Sequence, residues 1–250
     1  MISKEDARII FGILGNVISV SLFLSPVPTF YRIWKKKAVE QYSAVPYLAT
    51  FINCGLWILY GLPMVQPNST LVLTVNGTGF VIEIFYLSLF LIYSVPKKRL
   101  RLVAAVVTEC FFLAALSLCV LLLVHKPKPR ADIVGSMCMA GNVFMYAAPL
   151  SVMKLVITSK SVEYMPFFLS FFSFLNGLCW TTYALMKFDA FILVPNSIGS
   201  ALGLAQLVLY ATFYNSTQRI LAQRKMQGGE VDLAKIDAER NQNGDVVNGA

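Results

Sequence analysis

This chain of 250 residues has few charged side chains and few groups suited to catalysis. Charged residues make up 14% of it and hydrophobic residues 57%, a balance too apolar for a soluble domain of this length. His125 is its single histidine. The sequence has no His, Cys and carboxylate cluster, no glycine-rich phosphate loop and no Ser–His pair. We therefore expect no enzyme, no cofactor, no metal and, without a basic soluble domain, no nucleic-acid partner.

The five cysteines exclude a second class, the disulfide-stapled secreted domain. All of them fall inside long apolar stretches: Cys54, Cys110, Cys119, Cys138 and Cys179. Because none lies in a loop outside those stretches, we interpret the cysteines as small apolar packing residues.

The chain does have a series of long apolar runs. Each can cross a bilayer as a helix that rises about 1.5 Å per residue. We place seven helices at residues 8–31, 44–62, 70–94, 102–124, 132–154, 165–186 and 190–214. Residues 215–250 are polar, and we expect a disordered cytosolic tail there. The sequence therefore predicts an all-α membrane protein with seven transmembrane helices.

One stretch of the sequence occurs twice. An offset of 123 aligns Pro26 with Pro149, Lys37–Glu40 with Lys160–Glu163, Asn53 with Asn176, Trp57 with Trp180 and Tyr60 with Tyr183, and an offset of 120 aligns Pro46 with Pro166 and Asn76 with Asn196. Helices 1–3 (8–94) and 5–7 (132–214) thus form two parallel three-helix bundles. Helix 4 (102–124) is an unpaired linker that gives both bundles the same orientation. Duplicated membrane units usually hold their substrate between the halves.

The basic residues predict how the chain crosses the membrane. Six of the 21 Lys and Arg residues lie on the side of the N-terminus, and the other 15 lie on the opposite side or in the tail. Positive charge accumulates on the cytosolic side of membrane proteins. We therefore expect an extracellular N-terminus and a cytosolic C-terminus.

Four prolines share one depth near the cytosolic helix ends. They are Pro26, Pro46, Pro149 and Pro166. Proline removes a backbone N–H and clashes with the preceding turn, so it weakens a helix locally. Single prolines are tolerated in membrane helices, but two symmetric pairs at one level favour a set of hinges.

Six uncharged polar and aromatic residues come near the middle of the membrane. They are Asn53, Trp57, Asn76, Asn176, Trp180 and Asn196. Amides that are buried in hydrocarbon must face the protein interior or water. Amides donate and accept hydrogen bonds while indoles supply flat faces, so the set suits a neutral polyol such as a sugar better than an ion. Interhelical hydrogen bonds are the alternative role for each asparagine.

Polar groups also mark the exterior helix ends and the membrane interior. Tyr60, Tyr183 and Asp189 could close the exterior side by hydrogen bonding, although interfacial anchoring is a competing role for the tyrosines. Glu83 and Glu109 are intramembrane carboxylates. Glu83 is either a proton site or a structural hydrogen-bond acceptor, and Glu109 lies on the unpaired helix 4.

These residues resemble the plant SWEET sugar transporters of the MtN3/saliva family. The resemblance spans residues 8–214. It is carried by Leu24-Ser25-Pro26, Val39-Glu40-Gln41, Leu59-Tyr60-Gly61-Leu62-Pro63, Thr74-Val75-Asn76-Gly77-Thr78-Gly79, Tyr146-Ala147-Ala148-Pro149-Leu150, Ser161-Val162-Glu163-Tyr164-Met165-Pro166 and Val194-Pro195-Asn196. It implies two triple-helix bundles joined by an inversion linker helix, and bidirectional facilitated diffusion of sugar by alternating access.

The resemblance also implies roles for individual residues. The four prolines match the family's cytosolic proline tetrad, and Asn76, Asn196, Trp57 and Trp180 match its sugar-pocket positions. Pocket positions that differ between subgroups are matched by Leu22, Asn53, Met145 and Asn176. Sucrose carriers are similar to one another in having smaller residues there, so this chain resembles the hexose-preferring subgroup and is expected to carry monosaccharides such as glucose.

Two other functions fit the sequence less well. A proton-coupled symporter would use Glu83, and uptake that is insensitive to a proton uncoupler would exclude it. A seven-helix receptor shares the expected topology, but the duplication, the short loops and the lack of exterior cysteines argue against it. The family resemblance fits the plasma membrane best, with the vacuolar membrane as the alternative, and allows homo-oligomers or hetero-oligomers with related transporters.

Overall fold

A computed structural model of the chain describes the backbone of residues 3–247 and the side chains of residues 3–227. The described part contains helices and connecting turns and no strands. The helices are α1 (Lys4–Phe23), α2 (Val27–Lys36), α3 (Val45–Gly61), α4 (Thr70–Tyr93), α5 (Pro96–Leu123), α6 (Pro127–Met145), α7 (Ala147–Ser159), α8 (Phe167–Met186) and α9 (Ala190–Val247). The predicted all-α class is therefore confirmed.

Six segments are long and apolar enough to cross a membrane, by length and composition. They are the α1–α2 pair, α4, α5, the α6–α7 pair, α8 and α9, and the 17-residue α3 is a shorter apolar helix. Helices α1–α4 form the first bundle and α6–α9 the second. The bundles meet where α1 packs on α8 and α3 packs on α6. The linker α5 presents a largely apolar outer face, as the lipid-facing side of a membrane helix does.

Two predicted helices are each divided into two pieces. The sequence predicts one helix at 8–31, but the helix is interrupted between Phe23 and Val27. Pro26 and Pro28 cannot donate backbone hydrogen bonds to the turn before them. The Tyr86 hydroxyl donates to the carbonyl of Phe23 over 3.0 Å. The second predicted helix, 132–154, has a shorter break at Tyr146, three residues before Pro149.

The repeat is visible in the backbone as well as in the sequence. Helices α2 and α7 both end at a lysine in the left-handed conformation, with φ of 54° at Lys37 and at Lys160. The next two positions in each half lead to a buried valine, Val39 and Val162. The same local motif therefore ends the same helix in both halves.

The last helix does not end where the sequence predicts the tail to begin. Instead of a disordered segment from Asn215, the backbone stays helical to Val247. Its first turns beyond the bundle contact the loop after α7, since Thr217 Oγ1 accepts the Val162 amide over 2.8 Å and Arg224 pairs with Glu163 over 2.8 Å. These contacts tie this stretch to the second bundle, which composition alone does not reveal.

Candidate functional site

A cavity of about 190 Å³ lies between the two bundles at mid-height. The six residues that the sequence places near the membrane centre all line it. The full lining is Ser19, Phe23, Asn53, Trp57, Val72, Val75, Asn76, Asn142, Asn176, Trp180, Ile192 and Asn196. Four asparagines predicted from the repeat therefore converge on one space, together with a fifth, Asn142.

The two tryptophans are held by matching contacts across the bundle interface. Trp180 Nε1 donates to Ser19 Oγ over 3.3 Å, and Trp57 Nε1 donates to Asn142 Oδ1 over 3.5 Å. Ser19 and Asn142 are themselves 123 residues apart. Sequence reasoning missed both residues, although the offset that found the tryptophans also relates this pair. Each indole is thus held by a helix of the opposite bundle, Trp180 by α1 and Trp57 by α6.

The asparagines differ in how much of their hydrogen-bonding capacity the protein uses. Asn76 and Asn196 each donate from Nδ2 to the carbonyl one turn earlier, in both cases over 2.8 Å. Asn176 accepts the Ser19 hydroxyl over 2.7 Å. Asn53 Oδ1 is buried and has no hydrogen-bond partner among the described residues. A buried acceptor without a partner is costly, so this oxygen marks a place for a donor that the chain does not supply.

Two symmetric tyrosines make contacts at the end of the interface where α1 begins and α3 and α8 end. Tyr60 Oη contacts Asp189 Oδ1 and Oδ2 at 2.9 and 2.8 Å, and Gln66 Nε2 donates to Asp189 Oδ2 over 2.9 Å. Asp189 also accepts the amide of Ile192 and so caps α9. Tyr60 and Asp189 come from different bundles, which makes the bond a contact across the pathway.

The second tyrosine, Tyr183, contacts a cation, whereas Tyr60 contacts an anion. Arg8 Nη2 donates to Tyr183 Oη over 2.7 Å and to the Asn68 carbonyl over 2.9 Å, and the guanidinium carbon lies 4.3 Å from the ring centroid. Arg8 is buried, with 6% of its surface exposed. Sequence reasoning counted Arg8 only as an exterior charge. The available signal was depth: Arg8 lies near the start of α1 and Tyr183 near the end of α8, so both lie on the same side of the predicted membrane.

A second, larger cavity of about 450 Å³ adjoins the central one. Asn176 and Asn196 line both, and the larger cavity extends to Pro149 and Pro166. Leu22 lines this second cavity and not the central one, whereas Met145 lines neither. Of the four positions expected to set the size of the sugar pocket, Asn53 and Asn176 are therefore the two at the central cavity.

The four prolines do not share one structural role. Pro26 lies in the first helix break as the N-cap of α2, and Pro149 lies in the first turn of α7, three residues after the second break. Pro46 lies in the first turn of α3 and Pro166 is the N-cap of α8. Proline costs little at a helix start, because the N–H it lacks would have no partner there. Pro26 and Pro149 thus lie where a membrane span is interrupted, whereas Pro46 and Pro166 lie where a helix follows a loop.

Neither intramembrane carboxylate reaches the central cavity. Glu83 is buried on α4 with 3% of its surface exposed, and Glu109 lies on the linker α5. In both residues Oε2 has no hydrogen-bond partner among the described residues. Neither side chain is among those that line the central or the adjoining cavity.

The fold and the site define a multi-pass membrane protein with an internal duplication and a polar, aromatic cavity between its halves. A family model described as "Sugar efflux transporter for intercellular exchange" matches residues 9–99 and 132–218, one match for each bundle. The chain belongs to this family, whose members in plants are the SWEET transporters.

Named relatives and a solved structure agree with the family. The chain is 55% identical over 232 residues to bidirectional sugar transporter SWEET7 of Arabidopsis thaliana, covering 92% of this chain and 90% of that protein. It is 54% identical over 225 residues to SWEET4 of Oryza sativa subsp. indica, covering 90% and 87%. A solved eukaryotic SWEET transporter superposes with a TM-score of 0.83 at 39% identity, covering 85% of this chain and 99% of that one.

Proposed function

We propose that the chain carries monosaccharides such as glucose in both directions by facilitated diffusion, through the central cavity. The observation that carries the proposal is the ring of paired asparagines and tryptophans, with Asn53 Oδ1 lacking a protein donor. A sugar hydroxyl supplies that donor, and the sugar's C–H faces pack on Trp57 and Trp180. The relatives' printed names, bidirectional sugar transporters, support the same substrate class.

The size of the cavity favours a small sugar. Pockets for drug-sized ligands span about 300–1,000 Å³, whereas the central cavity measures about 190 Å³. Asn53 and Asn176 occupy its wall, and enlarging a packed wall costs about 1–3 kcal/mol per site. A hexose therefore fits this cavity better than a disaccharide does.

Alternating access requires that one end opens as the other closes. The exterior gate consists of Tyr60 with Asp189 and of Tyr183 with Arg8, and it is closed in this conformation. The opposite end is reached through the larger cavity beside Pro149 and Pro166. The breaks at Pro26 and Pro149 are the hinges of this proposal, because each proline leaves one helical hydrogen bond unmade and the backbone bends there at low cost. Pro46 and Pro166 set where α3 and α8 begin.

Proton-coupled symport is the second candidate, and the position of Glu83 argues against it. A coupling carboxylate should sit beside the substrate, but Glu83 does not line the central cavity. Passive carriage needs no titrating group in the pathway. A structural role for Glu83 inside the first bundle accounts for its burial without coupling.

The orientation follows from the distribution of charge. We place the N-terminus outside, the C-terminus in the cytosol and the protein in the plasma membrane, because 15 of the 21 basic residues lie on the side of the tail. The vacuolar membrane is the alternative. Assembly with itself or with related transporters remains a prediction.

Flux of labelled glucose into liposomes that contain the purified chain tests the proposal. We expect uptake that follows the glucose gradient in either direction and is unchanged by a proton uncoupler. Loss of uptake with the uncoupler would instead establish symport. No glucose flux above protein-free liposomes would contradict the sugar carrier itself.

A further inference from the structure

A third cavity lies outside the transport pathway, where the first bundle meets the linker helix. It measures about 400 Å³ and is bounded by the α2–α3 loop, the end of α4 and the start of α5. Its walls are largely apolar, and include Val39, Leu48, Phe90 and Leu102. The cavity shares no lining residue with the other two, so sugar transport does not account for it.

Two basic side chains of α5 line this cavity. Lys98 and Arg101 are three residues apart, so they project from one face of the helix. Lys98 Nζ donates to the Glu40 carbonyl over 3.1 Å, which leaves two of its three hydrogens. Arg101 makes no hydrogen bond or ion pair with any described residue. The carboxylate of Glu40 is engaged elsewhere, by Lys36 over 2.8 Å.

The region of the second bundle that corresponds to this cavity differs in two ways. Its loop between the matching glutamate and proline is three residues shorter, from Glu163 to Pro166 instead of Glu40 to Pro46. Its local charge is paired, because Glu163 binds Arg224. The longer loop and the linker helix, which the second bundle lacks, thus supply much of the wall of this cavity.

We propose that this cavity binds an anionic glycerophospholipid from the leaflet on the same side of the membrane. The lipid phosphate lies between Lys98 and Arg101, and one acyl chain lies against Leu48, Phe90 and Leu102. Basic pockets between membrane helices on the cytoplasmic side suit such headgroups. A lipid fits better than a soluble anion, because much of the wall around the two basic groups is apolar. The proposal is independent of sugar transport.

Native mass spectrometry of the full chain tests this site. The chain is released from nanodiscs made of equal parts phosphatidylcholine and phosphatidylserine, and the phosphatidylserine that stays bound is counted. We expect the double variant Lys98→Ala and Arg101→Ala to weaken retention by about 25-fold, since each basic group near an anionic surface contributes about a factor of five. Arg101→Gln alone, which breaks no protein contact, should give about a fivefold loss.

A matched control separates the site from general positive charge. Lys154→Ala with Arg219→Ala removes one Lys and one Arg that are exposed on the same side of the second bundle. This control should retain phosphatidylserine as the natural chain does. An equal loss in both double variants, or no preference for phosphatidylserine over phosphatidylcholine in the natural chain, would refute the site.

Two further measurements distinguish a bound lipid from a bound phosphate. Gln41→Trp fills the cavity without changing its charge, so it should also release phosphatidylserine. Soluble glycerol 3-phosphate should not displace the lipid, because it lacks the acyl chain. Retention in Gln41→Trp, or full displacement by glycerol 3-phosphate, would mean that the apolar walls hold no chain and would overturn the proposal.

Discussion

The two bundles share their pathway residues but differ in what surrounds them. Inside the first, Phe30 stacks on Tyr86 at 4.1 Å between ring centroids. Inside the second, the position equivalent to Tyr86 is Gln206, the position equivalent to Glu83 is Gly203, and both line the 450 Å³ cavity. At these two positions the first bundle is packed, whereas the second has a cavity. The duplication has kept the groups that line the central cavity, while the packing behind them has diverged.

The same divergence holds at the exterior gate. Tyr60 is bonded to the carboxylate of Asp189, whereas Tyr183 is bonded to the guanidinium of Arg8. Each tyrosine packs edge-on against its own tryptophan, with ring centroids 5.4 Å apart in the first bundle and 5.2 Å in the second. Identical aromatic pairs are thus held by opposite charges. The five predictions below test where the halves are equivalent and where they are not.

The largest effect is expected where the halves are most alike. Asn76→Ala and Asn196→Ala should each abolish glucose flux, because a lost buried hydrogen-bonding group costs about 1–3 kcal/mol and a transport substrate is held weakly. Flux in liposomes measures this, with the amount of folded protein in the membrane as control. Near-normal flux in both variants would remove these residues from the sugar site.

The gate should respond unequally to the same small change in each half. Tyr60→Phe and Tyr183→Phe each remove one hydrogen bond to a charged group, about 1.5–3 kcal/mol. Asp189 keeps Gln66 of the first bundle as a donor, so a hydrogen bond still joins the bundles there. Arg8 keeps partners within its own bundle only, so we expect Tyr183→Phe to open the exterior side more often.

Labelling of a Val72→Cys reporter by an impermeant maleimide added outside measures that opening. Val72 lines the central cavity, and the natural Cys54, Cys138 and Cys179 are buried. The exposed Cys110 and Cys119 are replaced by Ser in every variant that is labelled. The rate should rise several-fold more in Tyr183→Phe than in Tyr60→Phe, because no hydrogen bond then joins Arg8 to the second bundle. Equal rates would mean that the two charges hold the gate equally.

Filling the cavity of the second bundle should make its packing resemble that of the first bundle. Gln206→Tyr copies Tyr86 into the second bundle and occupies the cavity between the sugar site and Pro166. Overpacking costs about 1–3 kcal/mol, so flux should fall roughly tenfold while glucose binding to the detergent-solubilised protein persists. Leu202→Met, a nearly isosteric change in the same wall, is the control. Unchanged flux in Gln206→Tyr would place the route elsewhere.

The hinge prolines should also be unequal. The first break has two prolines, Pro26 and Pro28, whereas the second has Pro149 alone. Pro149→Ala can restore a helical hydrogen bond, worth a few kcal/mol with the relieved clash, whereas Pro26→Ala still leaves Pro28. We expect slower glucose exchange with retained binding, and a stronger effect at Pro149. Pro46→Ala, at a helix start, should change little, and a similar loss there would refute the distinction.

The smallest effect is expected on the choice between sugars. Asn53→Ser with Asn176→Ser should raise the ratio of sucrose to glucose flux several-fold, because it removes wall volume where overpacking costs about 1–3 kcal/mol per site. Adding Leu22→Val and Met145→Val should add little, since neither lines the central cavity. Efficient sucrose transport by the natural chain would refute the size argument.

The sequence determined the helices, the duplication and the central residues. Long apolar runs must form helices in a bilayer, because each backbone polar group needs a partner within its own segment. The offset of 123 then relates Asn53 to Asn176 and Trp57 to Trp180 without any coordinates. Both steps depend on the local order of residues, so they can be made from one chain.

The tertiary structure decided the partners of those residues. Arg8 binds Tyr183 across 175 positions of sequence, and Ser19 binds Asn176 across 157. No periodicity encodes contacts of this kind, because they depend on how α1 lies on α8. The lengths of the breaks at Pro26 and Pro149, the empty space beside Gln206 and the cavity at Lys98 likewise arise from packing between helices, where the shapes of several side chains act together.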